Sequence, residues 1–171
     1  MARRDRHYEN AFQDYLRSRG VPYISVNEHQ QAIFAGQKMK SFDFLVYPGG
    51  PRHWIVDVKG RKFPYVSAQG GKRYWENWVV REDLDDMQEW QEVFGEDFEA
   101  LFVFTYLLQG PPDRWPSSRP HIFSDREYTF WAVPLNDYAR HCRRRSDKWG
   151  TVSVPPRTFR DIARPVNALL P

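Results

Sequence analysis

The feature that most constrains this chain is a pair of alternating segments, Ser41-Phe-Asp-Phe-Leu-Val-Tyr47 and His53-Trp-Ile-Val-Asp-Val-Lys59, joined by Pro48-Gly-Gly-Pro-Arg52. Side chains alternate between the faces of a strand, so a slip of one residue exchanges the two faces. Pairing Tyr47 with His53 across the turn matches apolar with apolar. Phe42 then opposes Val58, Phe44 opposes Val56 and Val46 opposes Trp54, which makes one face wholly apolar. On the other face Leu45 opposes Ile55, Asp43 opposes Asp57 and Ser41 opposes Lys59. The register that hides the apolar residues therefore sets two carboxylates face to face, with Cβ atoms about 5 Å apart.

Two like charges at that spacing weaken a sheet, and burial adds to the cost. Something must compensate. A divalent cation does so, because two carboxylates with water and substrate phosphate oxygens form an ordinary Mg²⁺ site. Lys59 alone also does so, as a buried ion pair with Asp57, and that structural alternative stays open. Glu9 lies near Leu16 on a helical wheel, at the edge of the Tyr8, Phe12 and Tyr15 stripe, so it can point along the core boundary toward a sheet end.

The remaining pattern is that of an α/β domain. His7 to Arg19 reads as a helix ended by Gly20-Val21-Pro22, and Tyr23 to Val26 as a short strand. Lys62 to Val80 is aromatic and basic, with Gly70-Gly71 at its middle, and suggests a second hairpin projecting from the body. Asp83 is a plausible N-cap for a helix through Phe94, followed by Gly95. Leu84, Met87, Trp90, Gln91 and Phe94 form its inner stripe. Ala100 to Leu108 is a continuous apolar run suited to a central strand. Pro111 to Pro120 is a loop, and Tyr128 to Val133 a strand. Asn136 is placed to cap a helix running to Arg145, and the Pro-broken tail from about Thr151 is expected to wrap the surface. Residues 1–171 are read as one domain.

Composition narrows the function. No apolar run is long enough to span a bilayer, so no membrane is expected. The single Cys142 excludes an internal disulfide framework and suits a reducing compartment such as the cytoplasm. The balance of 25 basic and 22 acidic residues leaves a net charge of +3, which permits an anionic partner without demanding one. The charge is uneven. Residues 59–73 hold five cations and no acid, whereas residues 76–99 hold ten acids against Arg81. Arg61, Lys62, Lys72 and Arg73 stand among Phe63, Tyr65, Tyr74 and Trp75, a mixture that suits phosphate neutralisation and base stacking. The alternative is a hairpin that packs its aromatics on the body. Arg143, Arg144 and Arg145 read as a solvated helix end. His7, His29, His53, His121 and His141 show no zinc-ligand spacing. No nucleotide-cofactor motif is present.

A helix with a Glu, a strand with an Asp, a strand bearing Asp-x-Lys, then a helix and further strands resemble the PD-(D/E)XK nuclease superfamily. The resemblance runs from about Tyr8 to Val133. It implies a restriction-endonuclease-like fold, a central mixed β-sheet flanked by helices. It implies Mg²⁺ or Mn²⁺ as cofactor, DNA as partner and phosphodiester hydrolysis as activity. Asp43 and Asp57 would hold the metal, with Glu9 completing the site and the Val58 carbonyl a further ligand. Lys59 would orient or activate the attacking water. A Gln on the following helix would be Gln88 or Gln91, with Gln88 preferred because it lies off the apolar stripe. The sequence departs from the family pattern at Phe42, where the motif has Pro. A homodimer is left open. Set against the endonuclease is a binding or structural subunit of the same fold without catalysis.

Overall fold

The computed structural model describes residues 2–26, 32–34 and 37–171, with side chains from Arg6 to Val26 and from Lys40 onward. His29 lies outside the described residues. The chain begins with α1 (Ala2–Ser18), β1 (Tyr23–Ser25), β2 (Ala32–Phe34), β3 (Gln37–Met39), β4 (Phe44–Val46) and β5 (His53–Phe63). It continues through β6 (Tyr65–Val66), β7 (Lys72–Arg73), β8 (Val79–Val80), α2 (Arg81–Phe94) and β9 (Phe98–Leu108). The last third holds β10 (His121–Phe123), β11 (Arg126–Pro134), α3 (Leu135–His141), β12 (Arg143–Ser146), β13 (Thr151–Ser153), α4 (Pro156–Ile162), β14 (Arg164–Pro165) and α5 (Val166–Leu169). No helix among the described residues is long and apolar enough to cross a membrane.

The main sheet runs β1-β4-β5-β9-β11-β10, with β14 against β11. β5 and β9 are parallel and their neighbours antiparallel, so the sheet is mixed. Parallel strands need a crossover, which α2 provides between β5 and β9. The continuous apolar run of β9 follows from its central place. Leu101, Val103 and Leu107 face α1, where they meet Phe12 and Leu16. Ala100, Phe102, Phe104 and Tyr106 face the other way, toward Leu84 and Met87 of α2 and Tyr138 of α3. A strand buried on both faces has no polar side to alternate with.

The β4–β5 register is the one the alternation predicts: Phe44 opposes Val56, Leu45 opposes Ile55 and Val46 opposes Trp54. β4 is shorter than expected, and Phe42 does not oppose Val58. Its ring instead packs against Trp90 and Phe94 of α2, at centroid distances of 5.2 and 5.7 Å. The chain thus joins the sheet only at Asp43, whose N–H donates to the Val56 carbonyl at 3.0 Å. Beyond Val56, β5 keeps β9 on one side and loses its β4 neighbour on the other.

Three further expectations are corrected. α2 starts at Arg81 and takes no side-chain cap, so Asp83 lies inside the first turn and not at the N-cap. The helix through Asn136 ends at His141, and Asn136 does not cap it. Arg143–Ser146 is instead strand β12, because β13 offers it a ladder and itself pairs with β8. The segment from Thr151 does not wrap the surface: Val152, Val154, Phe159 and Ala163 are buried in the α2-side core. The amide of Asn77 stitches this segment in. Its Nδ2 donates to the Val154 carbonyl at 2.9 Å and its Oδ1 accepts from the Val154 N–H at 2.8 Å.

Candidate active site

The fork where β4 leaves β5 opens a cleft of about 310 Å³. Its lining includes Glu9 from α1, Asp43 from the approach to β4, Asp57, Val58 and Lys59 from β5, and Asp83 from α2. The Val58 N–H, at the height where β4 has already left the sheet, is satisfied by the Asp43 carboxylate, which accepts it at 2.7 Å. Asp43 thereby closes the ladder and is fixed beside Asp57.

That placement has an electrostatic cost. Burial pushes the Asp43 carboxyl well above the usual carboxylate range, and the nearby charges of Asp57 and Glu9 push it further. The Val58 N–H works the other way without reversing the direction. Lys59 shows the opposite balance. Burial acts against its ammonium, but Asp57 and Asp83 outweigh it and raise the pKa above its ordinary value. The Lys59 Nζ lies 3.0 Å from Asp57 Oδ2 and 2.6 Å from Asp83 Oδ2. Asp83 also binds the ammonium of Lys40 at 3.1 Å. Burial would raise the Asp83 carboxyl, but Lys59 and then Lys40 hold it below its ordinary value.

Gly60 explains how Glu9 reaches the cleft. A Cβ at Gly60 would run into Cδ2 and Cγ of Tyr8, so the Tyr8 ring lies directly against the backbone of β5. That approach draws the first turns of α1 against the strand, and Glu9 follows Tyr8 in sequence. Only glycine leaves room for it.

The preferred Gln88 is exposed and does not line the cleft. Gln91 is occupied elsewhere. Its Oε1 accepts the Ala100 N–H at 2.7 Å and its Nε2 donates to the Phe98 carbonyl at 2.7 Å, which fastens α2 to β9. The residue that α2 does contribute is Asp83. The sequence pattern suits it to a cap, because nothing local reveals a partner 24 positions away.

Of the four residues read as nucleic-acid contacts, Arg61, Lys62 and Arg73 line a second concavity of about 840 Å³ that adjoins the cleft. Lys72 is exposed but does not line it, because neighbouring residues of β7 face opposite ways. Arg61 is less open than expected. It donates to the carbonyls of Gly60 and Trp78, and its Cζ stacks 3.9 Å from the centre of the Trp78 ring. The aromatics of this region divide. Phe63, Tyr74 and Trp75 pack on the core, whereas Tyr65 and Trp78 line the concavity.

No three Asp, Glu, His or Cys side chains among the described residues form a ready-made metal cage. The donor set is instead an abutting carboxylate pair, Asp43 and Asp57, whose mutual repulsion a dication would relieve. That composition fits a hard cation bound by one or two carboxylates, with water and phosphate oxygens completing the shell.

No family model matches the chain, and no curated protein does. Among solved structures the chain is similar to Hjc of Archaeoglobus fulgidus, a Holliday junction resolvase from an archaeal hyperthermophile. The two share 12% identity at a TM-score of 0.54, and the match covers 95% of this chain and 97% of that one. A likeness of that extent at that identity speaks for architecture. The chain has the restriction-endonuclease-like fold, a central mixed sheet flanked by helices, with its acidic cleft where two strands of that sheet part.

Proposed function

We propose that this chain is a divalent-metal-dependent nuclease that hydrolyses phosphodiester bonds in DNA. One observation carries the reading: Asp43, Asp57 and Lys59 meet at the rim of one cleft, at a fork in the sheet. A fold shared with a resolvase is consistent with it.

Asp43 and Asp57, with Glu9 and the Val58 carbonyl, would hold Mg²⁺ or Mn²⁺, which when bound would supply polarisation of a phosphoryl oxygen and a more acidic water. The chain's own residues do the rest. Lys59, its pKa raised, stays an ammonium at neutral pH and so acts as a fixed positive charge, not as a base. It steadies negative charge as it grows on the phosphoryl group. Asp57 and Asp83 hold that ammonium in place. In the reaction a water oxygen bonds to phosphorus, one P–O ester bond breaks, and the water's proton ends on the leaving oxygen by way of solvent.

The test is incubation of the full chain with Mg²⁺ or Mn²⁺ and labelled duplex, single-stranded and branched DNA. Metal-dependent cleavage is expected, with Asp57→Ala and Lys59→Ala each slower by at least about 100-fold. A wild-type chain that cuts nothing, and binds Mn²⁺ no more tightly than Asp57→Ala in calorimetry, overturns the reading.

A second reading, a non-catalytic module of the same fold, is favoured by the double pairing of Lys59 with its own chain's acids. It makes the Asp57–Lys59 pair structural, so Asp57→Ala would cost about 3–5 kcal/mol. The nuclease reading expects the reverse in metal-free protein. A carboxylate facing Asp43 is removed while Asp83 still holds Lys59.

A further inference from the structure

The concavity beside the cleft shares Tyr8, Gly60, Arg61, Trp78 and Val80 with it, so the two are one continuous depression. Its charged lining is Arg61, Lys62, Arg73 and Arg145 against Glu76, which Arg73 meets at 3.5 Å. Such a surface suits a polyanion. Its aromatic content is what a polyanion alone does not explain. Trp149 is 67% exposed and Tyr65 43% exposed, and both line the groove. Trp149 is no loose end. Its turn is fixed where the Gly150 carbonyl accepts the Arg81 N–H at 2.9 Å, and β13 then pairs with β8. Trp78 carries two guanidinium groups, Arg61 at 3.9 Å and Arg145 at 5.4 Å from its ring centre.

Arg61 adds an independent sign. Its Nε–H is buried without an acceptor, and no carboxylate among the described residues pairs with it. The Nε–H itself is closed to solvent, so an incoming phosphate would meet the part of the Arg61 side chain that lines the groove, whose charge no carboxylate among the described residues neutralises.

A duplex offers this groove phosphates but hides the faces of its bases. The Trp149 indole, exposed on a fixed turn with the Lys148 ammonium 5.1 Å from its ring centre, gains little from phosphate alone and much from an unstacked base on its free face. Resting on the nuclease reading above, we propose that the groove holds an unpaired polynucleotide strand, with bases stacked on Trp149 and Tyr65 and a phosphate met by Arg61. The substrate is then nucleic acid with a single-stranded stretch leading to the cleft, such as a flap or fork.

Fluorescence anisotropy of the full chain in EDTA tests this without any cleavage. Labelled oligo(dT) is expected to bind more tightly than a duplex of equal length. Trp149→Ala and Tyr65→Ala should each weaken it about 5- to 150-fold, the equivalent of ~1–3 kcal/mol per stacked base. Trp149→Phe keeps a stacking face and should retain most of the affinity. Duplex binding should not respond to these changes. Oligo(rU) in place of oligo(dT) distinguishes an RNA strand from a DNA strand, and preference for either over duplex supports the groove. Preference for duplex overturns the proposal, as does equal weakening of single strand and duplex by Trp149→Ala and Trp149→Phe. The two readings fail separately. A chain that binds oligo(dT) as expected but cuts no DNA with Mn²⁺ loses the nuclease reading and keeps the groove. A chain that cuts duplex regardless of Trp149 keeps the nuclease and loses the groove.

Discussion

The cleft and the groove share a wall but differ in charge and in how each charge is held. The cleft carries the carboxylates of Glu9, Asp43, Asp57 and Asp83 around Lys59, whereas the groove carries Arg61, Lys62, Arg73 and Arg145 with Glu76. In the cleft the groups are partly buried and tied to one another: the Lys59 and Asp83 side chains are 15% and 17% exposed. In the groove Arg73 is 60% exposed, and Lys62 and Arg145 are also open to water. Buried charges act at short range and resist salt, while exposed ones act over a Debye length, about 8–10 Å at physiological ionic strength. The difference suits a division of labour in which one region handles a cation and a reacting group and the other gathers the polymer. Gly60, Arg61 and Trp78 stand between them.

The sharpest way to separate the two regions is to remove charge from the cleft alone. Lys59→Met should lower cleavage at least about 100-fold. It should also cost about 3–5 kcal/mol in urea unfolding, because Asp57 and Asp83 lose their shared cation. DNA binding in EDTA should be little changed.

Damaging the shared wall should harm both regions at once. A Cβ in Gly60→Ala meets the Tyr8 ring, so Tyr8 or the whole start of α1 must move. We expect a loss of about 1–3 kcal/mol on thermal unfolding. Cleavage should fall by up to about 100-fold, since misplacing a positioning group by 1 Å has that effect. Full activity in this variant would show that the Tyr8 ring gives way without displacing Glu9.

Gln91→Ala should act on stability alone. It strands the buried Ala100 N–H, at a cost of about 1–3 kcal/mol, and should leave DNA affinity intact. Gln88→Ala should be silent in both assays.

Asp43→Asn probes the repulsion in the cleft through pH. The folded chain keeps the Asp43 proton to a higher pH than the unfolded chain does. Stability therefore falls as pH rises from the ordinary carboxylate value up to the raised one. A side chain that cannot ionise removes that loss. The metal-free variant should be more stable than wild type at neutral pH and flatter across this window, read by denaturation at several pH values. Cleavage should be lost.

The smallest effect belongs to the groove. Arg73→Ala or Lys62→Ala should reduce the slope of log affinity for oligo(dT) against log salt by about 0.7 for each phosphate that is no longer neutralised. Mn²⁺ binding in calorimetry should not change.

Legibility in the sequence follows the same division. The β4–β5 register, and with it Asp43 beside Asp57, was readable because alternation and a short turn fix a hairpin locally. α2 was readable from its periodicity and β9 from its unbroken apolar run. Asp83, Arg145 and Trp149 were not. Each reaches its region through the meeting of distant segments: Lys59 with Asp83, Trp78 with Arg145, and the Gly150 turn with the start of α2. A run of arginines after a short helix looks like a basic helix end until β13 offers it a ladder.

By itself, then, the sequence determined the two-faced hairpin, the strand buried on both sides and the pairing of two acids, because alternation and burial act between near neighbours. The tertiary structure decided that Lys59 would be held by Asp83, that Phe42 would turn to α2 and free the edge of β5, and that the last segment would join the core. Those outcomes depend on which remote surfaces meet, and only packing selects among them.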